Sequence, residues 1–469
     1  MAKSKQKADE LLKKYTHETA SAWDLLGRAG IDKAHSLAKD YVSFLDASKT
    51  ERLAARRVAE ILDQAGFTRL DKSSGSGKVY QVYRDKCVLA ARIDGKSLDR
   101  MLMVGAHIDS PRLDLKGNPL YEESNLGLFK THYYGGIKKY QWMARPLALQ
   151  GVVLLANGDA VEVSIGDEPG EPVLCVSDLL PHLSQDQNRQ RVPEAFPAEK
   201  LNLIVGHAPY PDCTGKDRIK LAVLALLNER YGMVEEDLIS AELEAVPAGK
   251  AVDVGFDGEL IGGYGHDDRC CAYTGLRALI DAKRSGRNIA TLLFDKEEIG
   301  SEGNTGAQGR FWLEFLGELL RIKGGDDSER GLRRLLAASE VLSADVTAAL
   351  DPGWPEVHDK RNAALIGNGV VLTKYTGSRG KSGASDASAE FLGKVRRILN
   401  TGKVPWQAAG MGRVDLGGGG TIAKFVALHG PEVLDCGPAL LSMHSPFELV
   451  SKADLYATYQ AYRTFFERG

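Results

Sequence analysis

Apolar residues recur with two different periods along this chain, and the change from one to the other outlines its organisation. Over 8–37 and 49–65 they return every three or four positions, as on one face of a helix. In the second stretch Leu53, Val58, Ile61 and Leu62 share that face, and Gly66 supplies a stop. Short apolar runs of strand length follow at 79–83, 87–93 and 101–106. The texture changes after Leu113. Between 114 and 250, strand-like pieces at 147–156, 160–165 and 201–205 are separated by polar or Pro-rich connections, which predicts an inserted, mainly β unit. The alternation of strand and helix then resumes. A helix is expected over 268–285, with Tyr273, Leu276, Leu279 and Ile280 as its apolar stripe. Strands are expected at 288–294, 340–345, 369–374 and 432–436, and helices at 387–399, 420–428 and from 449 onwards. Such alternation builds an α/β fold whose sheet is mainly parallel and covered by helices on both faces. The expected domains are therefore a discontinuous one, 1–113 with 251–469, and the β-rich insertion, 114–250.

Length and composition support this outline and exclude some functions. A chain of 469 residues exceeds one ordinary core. Hydrophobic content of 43% and charged content of 26% are those of a globular protein. A net charge of −3 gives no reason to expect nucleic acid or an anionic membrane as partner. The six cysteines are scattered without a CxxC pair, and neighbours such as Cys270 and Cys271 cannot close a disulfide of ordinary geometry. They read as a reduced set. The opening MAKSKQKADELLKKY is polar and lacks the apolar core of a signal peptide, and no apolar run approaches a membrane span. A cytoplasmic location is the expectation.

Candidate chemistry collects at strand ends. FDKEEIGSEGNTGAQG, 294–309, leaves a buried strand through two adjacent acids, Glu297 and Glu298, and then a series of glycines. His107-x-Asp109, Asp267-Asp268 in GHDDR, Asp345 in VLSAD and His444 in SMHS share the habit of following a strand or preceding a helix. Open α/β sheets bind ligands outside the carboxyl ends of their strands. Taken singly these residues have plainer explanations: an Asp before a helix is commonly an N-cap, and a strand-terminal Asp a turn residue. As a set, two histidines and several carboxylates suit zinc. Two zinc ions about 3.5–4 Å apart need a shared carboxylate. Glu298 is then a ligand and Glu297 a general base towards water, while Asp109 orients the His107 ring. Gly300, Gly303 and Gly306 let the backbone turn away from the site.

VGAHIDSPRLDLK, GHDDR, DKEEIGSEGNTGAQG, SAD and LDCGPALLSMHS together resemble the aspartyl aminopeptidase family of di-zinc metallopeptidases, and the resemblance runs through most of the chain. It implies a phosphorylase/hydrolase-like catalytic domain interrupted by a β-rich dimerisation domain. It implies two zinc ions per subunit, with cobalt or manganese as alternatives: His107 and Asp345 on one, Glu298 and His444 on the other, Asp267 bridging. Glu297 is the implied general base and acid, Asp109 the support of His107, and a non-proline cis peptide follows Asp267. The implied activity is hydrolysis of the N-terminal residue of peptides, with acidic residues as candidate substrates. The implied assembly is a homo-oligomer built from dimers into a tetrahedral dodecamer, in which a histidine of the insertion reaches a neighbour's site. His182 in SDLLPHL matches that position, and His132 in KTHYYGG competes with it. Lys374, Arg379 and Lys381 are candidate cations for an acidic substrate side chain. Gly418 and Gly419 are candidates to present backbone amides to substrate at a helix start. Asp351-Pro352 stands where aspartate-preferring members read His-Pro, which sets aspartate preference apart as a separate question. The alternatives within reach of these residues are a related di-zinc deacylase or carboxypeptidase, or a non-catalytic shell protein that kept the fold.

Overall fold

The computed structural model describes residues 10–12, 14–17, 19–72, 77–283 and 286–469. Its largest element is a nine-stranded sheet. The strand order is Thr68–Arg69, Lys78–Tyr83, Cys87–Ile93, Asn288–Phe294, Leu102–His107, Glu340–Ser343, Glu432–Gly437, Val370–Thr373 and Trp406–Ala408. The four central strands, from Asn288–Phe294 to Glu432–Gly437, run parallel. Cys87–Ile93 and Val370–Thr373 pair with them antiparallel from either side. The fold is thus α/β, as the alternation of periods led one to expect, and its sheet is mixed, with antiparallel neighbours on either side of the parallel centre.

Both faces of this sheet are covered, which is why its central strands read as unbroken apolar runs. On one face lie the helices Ala22–Asp46, Glu51–Gln64, His266–Asp281, Ala389–Gly402 and Lys452–Arg468, with Tyr41, Phe44, Tyr462, Phe465 and Phe466 among the buried side chains. On the other lie Phe311–Ile322, Glu329–Ala338 and the short Ala423–Ala427, around Phe294, Phe311, Trp312 and Phe315.

Between Arg112 and Pro247 the chain forms a sheet of its own. Six strands, all paired antiparallel, run in the order Ala160–Ile165, Leu147–Leu154, Glu242–Pro247, Arg112–Glu123, Leu126–Tyr134 and Leu203–Gly206. They enclose a separate core that includes Trp142, Leu149, Val246 and Phe129, closed by the helix Arg218–Tyr231. A third sheet links Leu260–Gly263 to Glu448–Ser451.

Several boundaries differ from those the periodicity suggests. The first long helix is Ala22–Asp46 rather than 8–37; Ser21 caps it, and Gly27 (φ 59°) interrupts it after one turn. Part of the expected span, residues 8, 9, 13 and 18, falls outside the described residues. The helix expected over 420–428 shortens to Ala423–Ala427, and the terminal helix starts at Lys452 because Glu448–Ser451 is drawn into the third sheet. Periodicity did not single out Phe311–Ile322 or Glu329–Ala338. Among the described residues no helix is long and apolar enough to cross a membrane.

Candidate metal centre

Parallel pairing aligns the carboxyl ends of three strands. Phe294 is level with His107, and Ser343 with Gly105, so His107, the turn after Phe294 and the turn after Ser343 meet at one edge. His107 ends its strand buried. Its Nδ1 lies 3.0 Å from the carbonyl oxygen of Asp109 and 3.3 Å from Asp109 Oδ1, which leaves Nε2 facing the site. Lys296 (φ 65°) and Gly300 (φ 96°) bracket the short helical turn that presents Glu297 and Glu298. The backbone N–H groups of these two glutamates donate to Asp109 Oδ1 and Oδ2, both at 3.2 Å. Asp109 therefore ties the His107 strand to the glutamate turn, a wider role than orienting one ring.

Asp267 joins the two halves. It sits at the start of the His266–Asp281 helix, before a cis peptide bond to Asp268, as the family resemblance implies. Gly265 (φ 80°) makes the approach possible: a Cβ there would fall 1.8 Å from Nη1 of the buried Arg269. Asp267 Oδ1 is 3.2 Å from His107 Nε2, and Asp267 Oδ2 is 3.3 Å from His444 Nε2. His444 Nε2 is also 3.4 Å from Glu298 Oε2, while its Nδ1 is held at 2.8 Å by the carbonyl of Gly136.

Two groups of ligand-type atoms result, His107–Asp267–Asp345 and Asp267–Glu298–His444, each with its atoms within 4.8 Å of one another. A tetrahedral zinc with bonds of about 2.0–2.1 Å holds its ligand atoms roughly 3.3–3.4 Å apart. The observed 3.2, 3.3 and 3.4 Å separations match that spacing. Among the described residues Glu298 Oε1 is buried without a hydrogen-bond partner, which also fits a cation.

Electrostatics agree. Burial pushes Glu298 and Asp345 well above the usual carboxylate range, with neighbouring carboxylates adding to it. Glu297 is pushed up to about 7 by burial, against the pull of His107. Burial lowers His444, yet the Glu298 and Asp267 carboxylates outweigh it and raise the group to about 11. Burial raises Asp267 too, but the two imidazoles hold it low. A buried cluster so short of positive charge is what divalent cations would relieve. A third group, Asp268, Cys270 and Cys271, is different: burial raises all three groups and keeps the thiols protonated, unlike a thiolate metal site.

Two residues missed in the sequence brace this arrangement. Glu448 is buried and accepts the backbone N–H of Asp267 at 3.1 Å and of His444 at 2.7 Å. Its only sequence signal is a Glu four residues after His444. Tyr134 donates to Asp109 Oδ2 at 2.8 Å.

The remaining candidates lie elsewhere in the chain. Lys374, Arg379 and Lys381 line a cleft of about 300 Å³ with Tyr375, Met411 and Arg413; the lining includes none of the five ligand candidates. Val370–Thr373 runs antiparallel to Glu432–Gly437, and Thr373 is level with Asp435, itself level with Ser343 and through it with Gly105, two residues before His107. Lys381 pairs with Asp386 at 3.1 Å and stacks over Tyr375. Gly418 (φ 125°) packs so closely on this loop that a Cβ would fall 1.8 Å from the carbonyl oxygen of Gly377, and Gly419 accepts the N–H of Gly377. Asp351 accepts the N–H of Gly353 in a turn. His182 is exposed on the short turn Pro181–Leu183, and His132 is exposed on Leu126–Tyr134.

A sheet whose parallel edge gathers two carboxylate-sharing ligand groups around a free glutamate defines a metallohydrolase. The family of aminopeptidase I zinc metalloproteases (M18) matches residues 44–466. The chain is 49% identical over 440 residues to a probable M18 family aminopeptidase 1 of Thermotoga maritima, covering 93% of this chain and 97% of that protein. It is 43% identical over 465 residues to a probable M18 family aminopeptidase 1 of Clostridium acetobutylicum, covering 97% and 99%. The crystal structure of the Thermotoga maritima M18 aminopeptidase has a TM-score of 0.94 at 47% identity, covering 97% of this chain and 100% of that one. The fold extends to the S. cerevisiae mApe1 dodecamer, with a TM-score of 0.75 at 20% identity over 93% and 97% of the two chains. This chain belongs to the M18 family and is a zinc metallo-aminopeptidase.

Proposed function

We propose that the enzyme works with two zinc ions per subunit, held by His107 and Asp345 on one side and Glu298 and His444 on the other, with Asp267 shared. The observation that carries this reading is the split of the Asp267 carboxylate, one oxygen 3.2 Å from His107 Nε2 and the other 3.3 Å from His444 Nε2. When bound, the ions supply Lewis-acid polarisation and make a water nucleophilic at neutral pH. Glu297 belongs to neither ligand group, and its Oε2 lies 3.9 Å from His107 Nε2. It accepts the proton of the attacking water on its carboxylate and returns it to the leaving amine of the cleaved peptide. Asp109 keeps Nδ1 of His107 engaged, so that Nε2 remains the ligand atom.

The substrates are peptides with a free N-terminus. Lys374, Arg379 and Lys381, with amides of the Gly418–Gly419 segment, offer recognition for an acidic first residue, while Asp351 argues against a strict aspartate preference. Residues 1–113 and 251–469 form the catalytic domain, and 114–250 the dimerisation domain. Dimers build a tetrahedral dodecamer in which His182, with His132 as its rival, enters a neighbour's site. The location is cytoplasmic, in keeping with six free cysteines. Side-by-side hydrolysis of aspartyl, glutamyl and leucyl anilides by zinc-loaded enzyme tests the specificity. Faster turnover of the acidic pair is expected, and equal or faster turnover of the leucyl compound would reject the cationic pocket.

A further inference from the structure

The insertion reaches into the metal centre through three consecutive residues. Leu126–Tyr134 is a strand of the inserted sheet, and Tyr134 is its last residue. Its hydroxyl donates to Asp109 Oδ2 at 2.8 Å. That carboxylate already takes the N–H groups of Glu297 and Glu298 and lies 3.3 Å from His107 Nδ1. Gly135 (φ 74°) lets the chain pass beside Glu298, whose side chain would be 3.3 Å from a Cβ at that position. Gly136 then accepts the Nδ1 hydrogen of His444 at 2.8 Å. One turn thus touches the support of the first ligand group and two ligands of the second.

The turn is itself held. The Arg112 guanidinium stacks 3.8 Å over the Tyr134 ring. Arg112 is fixed in turn by Asp114 at 2.8 Å, Glu244 at 3.2 Å and Glu51 at 3.4 Å, on strands of the insertion and on the Glu51–Gln64 helix. Buried charge-assisted contacts of this kind leave the ring little freedom to swing away from Asp109.

We infer that Tyr134 is a positioning residue through which the inserted sheet sets the metal affinity of the catalytic centre, acting on the ligands by way of Asp109. The inference rests on the ligand assignment proposed above. Tyr134 belongs to neither ligand group; it decides how firmly the carboxylate behind His107 and the glutamate turn is held. A sheet otherwise available for subunit contacts is thereby coupled to the chemistry.

The test is zinc titration of the metal-stripped full chain against a chromogenic chelator, for the wild type, Tyr134→Phe, Asp109→Asn and the double variant. Tyr134→Phe keeps the ring under Arg112 and removes only the hydroxyl. It should weaken one of the two ions about 10–100-fold, the usual cost of losing a partner behind a ligand. Because Tyr134 acts through Asp109, the double variant should bind no more weakly than the weaker single variant. Losses that multiply, or a Tyr134→Phe affinity within about twofold of wild type, overturn the inference while leaving the ligand assignment standing. A wild-type chain that takes up no zinc overturns the assignment, and the inference with it.

Discussion

Glu297→Gln isolates the proton-transfer step from everything else the site does. The substitution is nearly isosteric. Among the described residues the Glu297 carboxylate accepts no protein hydrogen bond, and its backbone N–H to Asp109 at 3.2 Å is unaffected by an amide side chain. Glu297 is in neither ligand group, so both ions should bind as before. What disappears is a half-buried carboxylate, outside both ligand groups, that can accept and return a proton. Loss of a positioned acid–base group costs about 10²–10⁴-fold in rate, or roughly 3–5 kcal/mol of transition-state stabilisation. The assay is kcat and KM on a peptide anilide together with zinc content by mass spectrometry. The expected result is kcat lowered by about 10²–10⁴-fold, KM nearly unchanged and two zinc ions retained. A variant that keeps more than about a tenth of the wild-type kcat with both ions present refutes the general-base role. A variant that loses an ion refutes the separation of roles between Glu297 and Glu298.

Three further outcomes follow from the same geometry. Glu298→Gln replaces a charged ligand of the His444 group by a weak neutral one, so the purified protein should hold one zinc per subunit instead of two, measured by metal analysis; full occupancy would contradict the assignment. Asp435 is buried on the strand beside Glu340–Ser343 and raised to about 6 by burial, against the hydrogen bond from Thr421. Since its folded value exceeds the unfolded one, the folded state holds the extra proton and stability falls as pH rises from about 4 to 6, by at most about 3 kcal/mol; Asp435→Asn should flatten that part of a urea-unfolding profile, and an unchanged slope would count against it. Gly265→Ala must adopt a φ of 80° and place a methyl 1.8 Å from Arg269 Nη1, whose Nη2 is tied to the Lys49 carbonyl. A destabilisation of about 2–4 kcal/mol is expected from the backbone strain and overpacking, read as a shift in the unfolding midpoint.

The glutamate pair shows how a local signal can carry a site. Two acids at the end of an apolar run, followed by glycines, are conspicuous wherever they occur, and each of the other stretches likewise places a metal-type side chain at a strand or helix end. Those features are local, because strand length, helix starts and ligand type are written in consecutive residues. The pattern of apolar positions also separates the strands from Arg112–Glu123 to Glu242–Pro247, which pair in the antiparallel sheet, from the apolar runs of the covered parallel one, since a half-exposed antiparallel sheet alternates and a covered parallel one does not. It failed where tertiary pairing overrides local preference, as at Glu448–Ser451, taken from the terminal helix by its partner Leu260–Gly263.

By itself, then, the sequence named the ligand-type side chains at strand and helix ends and the family they resemble. Tertiary structure alone decided how they are held. That Asp109 carries two backbone N–H groups 188 and 189 residues away, that Glu448 reaches the N–H of Asp267 181 residues away, and that the Gly136 carbonyl 308 residues away fixes His444 have no local signature. A backbone carbonyl is the same in every residue, and a carboxylate reveals its partner only when strand register brings donor and acceptor within hydrogen-bonding distance.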